Sequence, residues 1–258
     1  RFLREARLAA ALSHPGIVRV LDVGEHEGLP FIALEWIDGA SLFTVERRGA
    51  LPLARKLDIL ADIAEIIAAA HAERIVHRDL KPANVMIDRR GAVRILDFGI
   101  AKRVAPAAAP HPLTFVTRDD VALGTPSYIA PEQERSPRVD ARADQFAWGV
   151  MAYELLARVH PREAVSDPAA YPAGVAPLSE LCPELPAGAA AVVARAMAER
   201  PEDRFPEMGA LIAALRAALA AGGTTEVLAP PSAPRRPSAL AIYGAGLVSA
   251  LVVGGAAL

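Results

Sequence analysis

The strongest constraint on the fold is a change of hydrophobic period in the first half of the chain. Between Leu53 and Arg74, the residues Leu53, Leu57, Leu60, Ala64 and Ile67 recur at helical spacing and predict one long helix with an apolar stripe. Directly afterwards, Val85 to Ile87 and Val93 to Leu96 read as two short strands around Asp88-Arg89-Arg90-Gly91. That turn predicts a hairpin in which Gly91 takes up positive φ. A helix feeding a hairpin through a polar segment puts helix and strand in one unit, an α+β reading, and both flanks of that hairpin carry residues of chemical interest.

The flanking segments extend this pattern. Leucines and alanines from Arg1 to about Leu12 predict a helix, which Ser13-His14-Pro15-Gly16 ends. Ile17 to Val23 and Leu29 to Leu34 predict an antiparallel pair of strands. After Gly99 about 30 residues rich in Ala and Pro lack periodicity, and a loop of that length is usually functional or disordered. Helices are predicted at roughly 141–157, 188–199 and 206–221. No internal repeat is evident.

Composition excludes more than it assigns. A chain of 258 residues holds one substantial domain with appendages. The net charge of −2 gives no electrostatic footprint for nucleic-acid phosphates, so nucleic acid is excluded as an expected partner. A single cysteine, Cys182, rules out an intrachain disulfide framework and fits a reducing compartment. The six histidines form no zinc-site spacing. The 53% hydrophobic content owes much to alanine and names no chemistry.

Two segments on the hairpin's flanks carry chemistry. Before it stands His77-Arg78-Asp79-Leu80-Lys81-Pro82-Ala83-Asn84, and after its second strand comes Asp97-Phe98-Gly99. In this order and on such a hairpin, the two motifs resemble the catalytic loop and metal-binding triplet of the protein kinase family. A lone Asp-Phe-Gly would carry little weight; the joint spacing carries the resemblance. Gly124-Thr125-Pro126-Ser127-Tyr128-Ile129-Ala130-Pro131-Glu132 is similar to the family's substrate-docking segment. The threonine there, and Lys81 two residues after the aspartate, look like the serine/threonine branch.

The resemblance implies a role for each residue. Asp79 would accept the proton of an attacking hydroxyl, and Lys81 would place positive charge on the transferring phosphate. Asn84 and Asp97 would supply hard oxygen ligands to magnesium (Mg2+) bridging the phosphates of ATP, Asp97 thereby also binding the nucleotide. Leu34-Glu35-Trp36-Ile37 looks like the strand-to-hinge segment, so backbone groups of Glu35 and Ile37 would bond adenine while Met86 lies beneath the ring. A buried strand exit before Asp38-Gly39 would read much the same without a ligand. Glu132 would pair with Arg204, and Asp144 would hold the catalytic-loop backbone; both are structural roles. Arg78 could pair with a phosphate added to the following loop, where Thr114 and Thr117 are the candidate acceptors. Expected partners are therefore ATP, Ser/Thr-bearing protein substrates, and a second kinase copy in self-association and autophosphorylation.

The same comparison yields expectations at both ends. The first residue is Arg1 rather than Met, no G-x-G-x-x-G occurs, and the first lysine is Lys56, so Glu5, matching the family's helix glutamate, has no lysine partner. The expected architecture is a kinase-like bilobal fold in which residues 1–34 form a remnant N-lobe, lacking the glycine-rich loop and lysine strand, and 35–221 form the hinge and a complete helical C-lobe. On that expectation the 258 residues alone transfer little phosphate. A non-catalytic, kinase-like scaffold is the alternative, although it has no physical need for Asp79, Lys81, Asn84 and Asp97 together. Residues 222–238 have the composition of a proline-rich linker. Residues 239–258 carry no charge and as a helix would cover roughly 30 Å, enough for a single-pass transmembrane helix. An apolar tail packed on the domain is the other reading, against which Gly244, Gly246, Gly254 and Gly255 count. Arg235 and Arg236 before it would keep the kinase domain on the cytoplasmic side of the cell membrane.

Overall fold

The computed structural model describes residues 14–27, 29–49, 51–96, 128–136, 139–164, 171–172 and 174–222. The predicted helix over 1–12, Asp97-Phe98-Gly99, Thr114, Thr117, the linker beyond Gly222 and the apolar segment 239–258 lie outside them. Among the described residues, no helix is long and apolar enough to cross a membrane.

Strands β1 (Val20–His26) and β2 (Leu29–Leu34) pair antiparallel, with Val23 opposite Ile32 and a register shift between Val20 and Asp22. The predicted first strand began three residues earlier. Ile17 instead forms a parallel bridge with Ile95, where Val18 N–H donates to Ile95 O at 3.0 Å and Ile95 N–H donates to Gly16 O at 2.7 Å. Ile17 and Val18 are buried by that contact, a pairing with a distant strand that local pattern does not reveal.

A second sheet has the order β3-β4-β5, built from Gly39–Ser41, Val85–Asp88 and Val93–Ile95, all antiparallel. Gly39 lies so close to β4 that a Cβ would stand 2.2 Å from Ile87 O, so only glycine permits this pairing. The β4–β5 turn places Gly91 at φ 83°, as its sequence predicts. Ser41 caps helix α1 (Leu42–Arg48) by accepting from Thr44 N–H at 3.2 Å.

Helix α2 (Leu53–Ala72) buries Ile59, Ile63, Ile66 and Ala70 beside Leu60, Ala64 and Ile67. Leu53 and Leu57 are only half-buried, so the apolar face is wider and centred further along than the predicted stripe. The helix ends because Arg74 turns left-handed (φ 60°), with Arg74 N–H donating to His71 O at 2.9 Å and Ile75 N–H to Ala70 O at 3.0 Å. Helix α3 is Pro131–Arg135 and α4 is Arg142–Ala157, the latter buried on nearly every side. A helix surrounded in this way is the centre of its lobe. Trp148 fixes its height against α2 by donating to Leu60 O at 2.9 Å. The short α5 (Leu178–Leu181), then α6 (Ala187–Ala196) and α7 (Met208–Gly222), complete the lobe. The three predicted helices of this half correspond to α4, α6 and α7; α1, α3 and α5 were not predicted.

Candidate active site

The polar segment between α2 and β4 is held by one buried carboxylate. Asp144, at the start of α4 and fully buried, accepts from His77 N–H and Arg78 N–H, each at 2.8 Å. His71 Nε2, near the end of α2, lies 2.8 Å from the same carboxylate. His77 is also fully buried: its Nδ1 accepts from Asp79 N–H at 3.2 Å and its Nε2 contacts Leu96 O at 2.9 Å. Those partners assign the proton to Nε2, because Nδ1 must accept. The loop is thus fastened to α4 on one side and to the end of β5 on the other.

These anchors impose an unusual backbone. Arg78 has φ 66°, a left-handed conformation that costs about 1–3 kcal/mol for a residue with a Cβ and persists only when surrounding structure over-determines it. Gln133 of α3 donates to Arg78 O at 3.1 Å, so both peptide groups of this strained residue are held by side chains from other elements.

Just beyond, three of the predicted site residues converge. Asn84 Nδ2 donates to Asp79 O at 2.8 Å and to Asp79 Oδ2 at 3.2 Å. Lys81 Nζ stands 3.5 Å from the same Oδ2, with both side chains about one-fifth exposed at 19% and 22%. Pro82–Asn84 form a single tight turn, and Leu96 N–H donates to Asn84 O at 2.8 Å, bringing the end of β5 beside Asn84. The Asn84 amide nitrogen is committed to Asp79, whereas its Oδ1 has no partner among the described residues and is a hard oxygen suited to a magnesium ion. Among the described residues no group of three or more His, Cys, Asp or Glu side chains could hold a metal. Asp97, the second predicted ligand, follows Leu96 directly and lies outside them.

The predicted adenine contacts are disposed as follows. Glu35 N–H donates to Arg19 O at 3.0 Å, so of its backbone groups only the carbonyl is left to accept from a base. Ile37 is half-buried beside the exposed Trp36, and Met86 sits on β4 opposite Ser41 and Arg94. Sequence reasoning gave the Glu35 side chain no task. It accepts from Arg19 N–H at 3.1 Å and from Arg94 of β5, which ties the segment after β2 to the strand that leads to Asp97. Burial would raise the Glu35 carboxyl, but the Arg19 backbone N–H and the Arg94 charge outweigh it and hold the group below the usual range.

Both structural pairings expected for the large lobe are present. Arg204 grips Glu132 with two nitrogens at 2.6 and 2.8 Å, and Asp144 binds the loop backbone. Sequence reasoning missed Gln133, His71 and Arg94. Gln133 directly follows Ala-Pro-Glu, but adjacency to a motif does not say which way a side chain reaches.

This fold and loop are those of the protein kinase class. Residues 1–203 match the protein kinase domain family, and the chain belongs to it. It is 39% identical over 219 residues to the serine/threonine-protein kinase PknB of Mycobacterium leprae, covering 80% of this chain and 33% of that protein. It is 37% identical over 269 residues to the serine/threonine-protein kinase pkn2 of Myxococcus xanthus, covering 96% of this chain and 32% of that protein. The chain therefore spans about a third of the length of these relatives. Among solved structures, the PknI kinase domain of Mycobacterium tuberculosis superposes with a TM-score of 0.66 at 32% identity, covering 84% of this chain and 77% of that one.

Proposed function

We propose that the protein transfers the γ-phosphate of ATP to serine or threonine hydroxyls of protein substrates. The observation that carries this reading is the gathering of the Lys81 ammonium and the Asn84 amide on the Asp79 carboxylate, on a loop fastened by Asp144. Relatives named serine/threonine-protein kinases, 37–39% identical to the chain, support the choice of acceptor.

Asp79 takes the hydroxyl proton as the substrate oxygen bonds to the γ-phosphorus and the bond to the β-phosphate oxygen breaks, releasing ADP. Lys81 offsets charge on the transferring group's peripheral oxygens. Asn84 Oδ1 and Asp97 would hold magnesium, which when bound supplies charge neutralisation at the phosphates. The carbonyl of Glu35 and the N–H of Ile37 would meet the adenine edge, with Met86 against its face.

The domain reading assigns 1–34 to the small lobe, 35–221 to the hinge and large lobe, 222–238 to a linker and 239–258 to a single membrane span with the kinase domain cytoplasmic. Its support is the uncharged sequence of 239–258 behind Arg235 and Arg236. Autophosphorylation of Thr114 or Thr117 between associated copies belongs to the same reading.

The test is the full natural protein with Asp79→Asn. We expect kcat for transfer to a protein substrate to fall about 10²–10⁴-fold, as for loss of a general base, with ATP affinity retained. Phosphoamino-acid analysis of the product should find phosphoserine or phosphothreonine. Normal turnover by the variant sinks the assignment.

A further inference from the structure

Gln133 is a half-buried residue of α3 whose one amide group makes two contacts in opposite directions. Its Oε1 accepts from Ala130 N–H at 3.2 Å, and its Nε2 donates to Arg78 O at 3.1 Å. Ala130 is fully buried and has no side chain able to cap a helix, so of a reciprocal capping box only the return contact is made, from Gln133 back to the Ala130 N–H. The first contact shapes the end of the docking segment, Tyr128 to Glu132. The second reaches the left-handed peptide immediately before Asp79.

Asp144 takes the Arg78 N–H, and Gln133 takes the carbonyl of the same residue. The Arg78 carbonyl belongs to the peptide that connects Arg78 to Asp79, so its direction sets the plane from which the Asp79 backbone departs. We propose that Gln133 is a positioning residue for phosphoryl transfer, bridging the docking segment to the Arg78 carbonyl so that the seating of that segment aims Asp79. This rests on the kinase reading above. Through the bridge, the segment on which a protein substrate would lie is in hydrogen-bond contact with the backbone of the proton acceptor.

The two halves of the bridge separate by chemistry. Gln133→Glu keeps an oxygen for Ala130 N–H but, once ionised, has nothing to donate to Arg78 O. Gln133→Leu loses both. In the full natural protein we expect both variants to lower kcat about 10²-fold, the scale of a small misplacement of a catalytic group, with KM for ATP within about threefold. The ratio of Gln133→Glu to wild-type kcat should rise toward acid pH, because a protonated carboxyl can again donate to the Arg78 carbonyl. Hydrogen exchange at the His77 and Arg78 amides should speed up in both variants. Arg135→Ala, on the same helix but paired among the described residues with the exposed Glu199 alone, should alter neither reading. A helix-capping role alone would leave Gln133→Glu fully active with unchanged exchange, which overturns the inference. Full activity of both variants beside an inactive Asp79→Asn also overturns it while the kinase reading stands; an inactive wild-type protein overturns both.

Discussion

Glu132 and Glu35 are both glutamates held by arginine, one at the head of α3 and one at the hinge, but their surroundings differ. The Arg204 side chain is 0% exposed, and all five of its N–H groups have acceptors: Ala198 O, Arg142 O, Glu199 O and the two oxygens of Glu132. It also lies over the Phe146 ring at 5.0 Å. Arg19 reaches Glu35 with a single nitrogen at 3.3 Å and is 66% exposed. A buried pair is a rigid joint whose breakage strands a charge, whereas an exposed pair is screened by water. The large lobe is thus built around fixed polar joints on a central buried helix, whereas the Arg19 contact to Glu35 is exposed and replaceable.

The largest expected effect tests the buried joint. Arg204→Met removes the guanidinium and leaves Glu132 without its partner, together with three backbone carbonyls that lose a donor. We expect a loss of about 3–5 kcal/mol, read as a lowered urea midpoint at constant slope. A loss under about 1 kcal/mol would mean that burial adds nothing here and that the two joints are equivalent.

A third glutamate lies between these extremes. Glu46 of α1 makes no ion pair among the described residues, and burial together with the Glu154 charge raises its carboxyl to about 7, against opposing help from Lys56 and Arg158. Because the folded value lies above the unfolded one near 4.5, the folded state binds the extra proton, and stability falls as pH rises from about 4.5 to about 7. Glu46→Gln should flatten that part of the stability profile and stabilise the protein at pH 8 by on the order of 2 kcal/mol, the shift being discounted for partial exposure. Equal slopes in variant and wild type from pH 4.5 to 7 would show that Glu46 is solvated like any surface acid.

The same contrast explains what was legible in the sequence. The β4–β5 hairpin, with its turn at Gly91, and the long helices follow from spacing within one segment, so local pattern sufficed. Asp79, Lys81 and Asn84 lie within six consecutive residues, so a single loop brings them together whatever the rest of the chain does. Glu132 with Arg204, and Asp144 with the loop, span long separations and were readable only through the family resemblance. The bridge from Gln133 to Arg78, the tie from Arg94 to Glu35 and the pairing of Ile17 with Ile95 depend on tertiary placement. No spacing rule encodes them. Glu46 misleads in the same way: in sequence it is one more charge on a polar helix, and only the packing of α1 against the large lobe removes it from water.

The smallest expected effect concerns the hinge joint. The first influence lowering the Glu35 carboxyl is the backbone N–H of Arg19, followed by the charge of Arg94; the Arg19 side chain comes after both. Arg19→Ala therefore removes a screened contact while the stronger donors stay in place, since any residue but proline supplies the N–H at 3.1 Å. We expect a change in stability below about 1 kcal/mol and a Glu35 carboxyl that still titrates below its usual range, followed by carbon-detected NMR. Arg94→Ala should move that titration further, because Arg94 is only 22% exposed and acts directly on the carboxylate. If Arg19→Ala instead returned Glu35 to ordinary behaviour, the side chain rather than the backbone would be holding the hinge, and the contrast with the buried Arg204 joint would narrow.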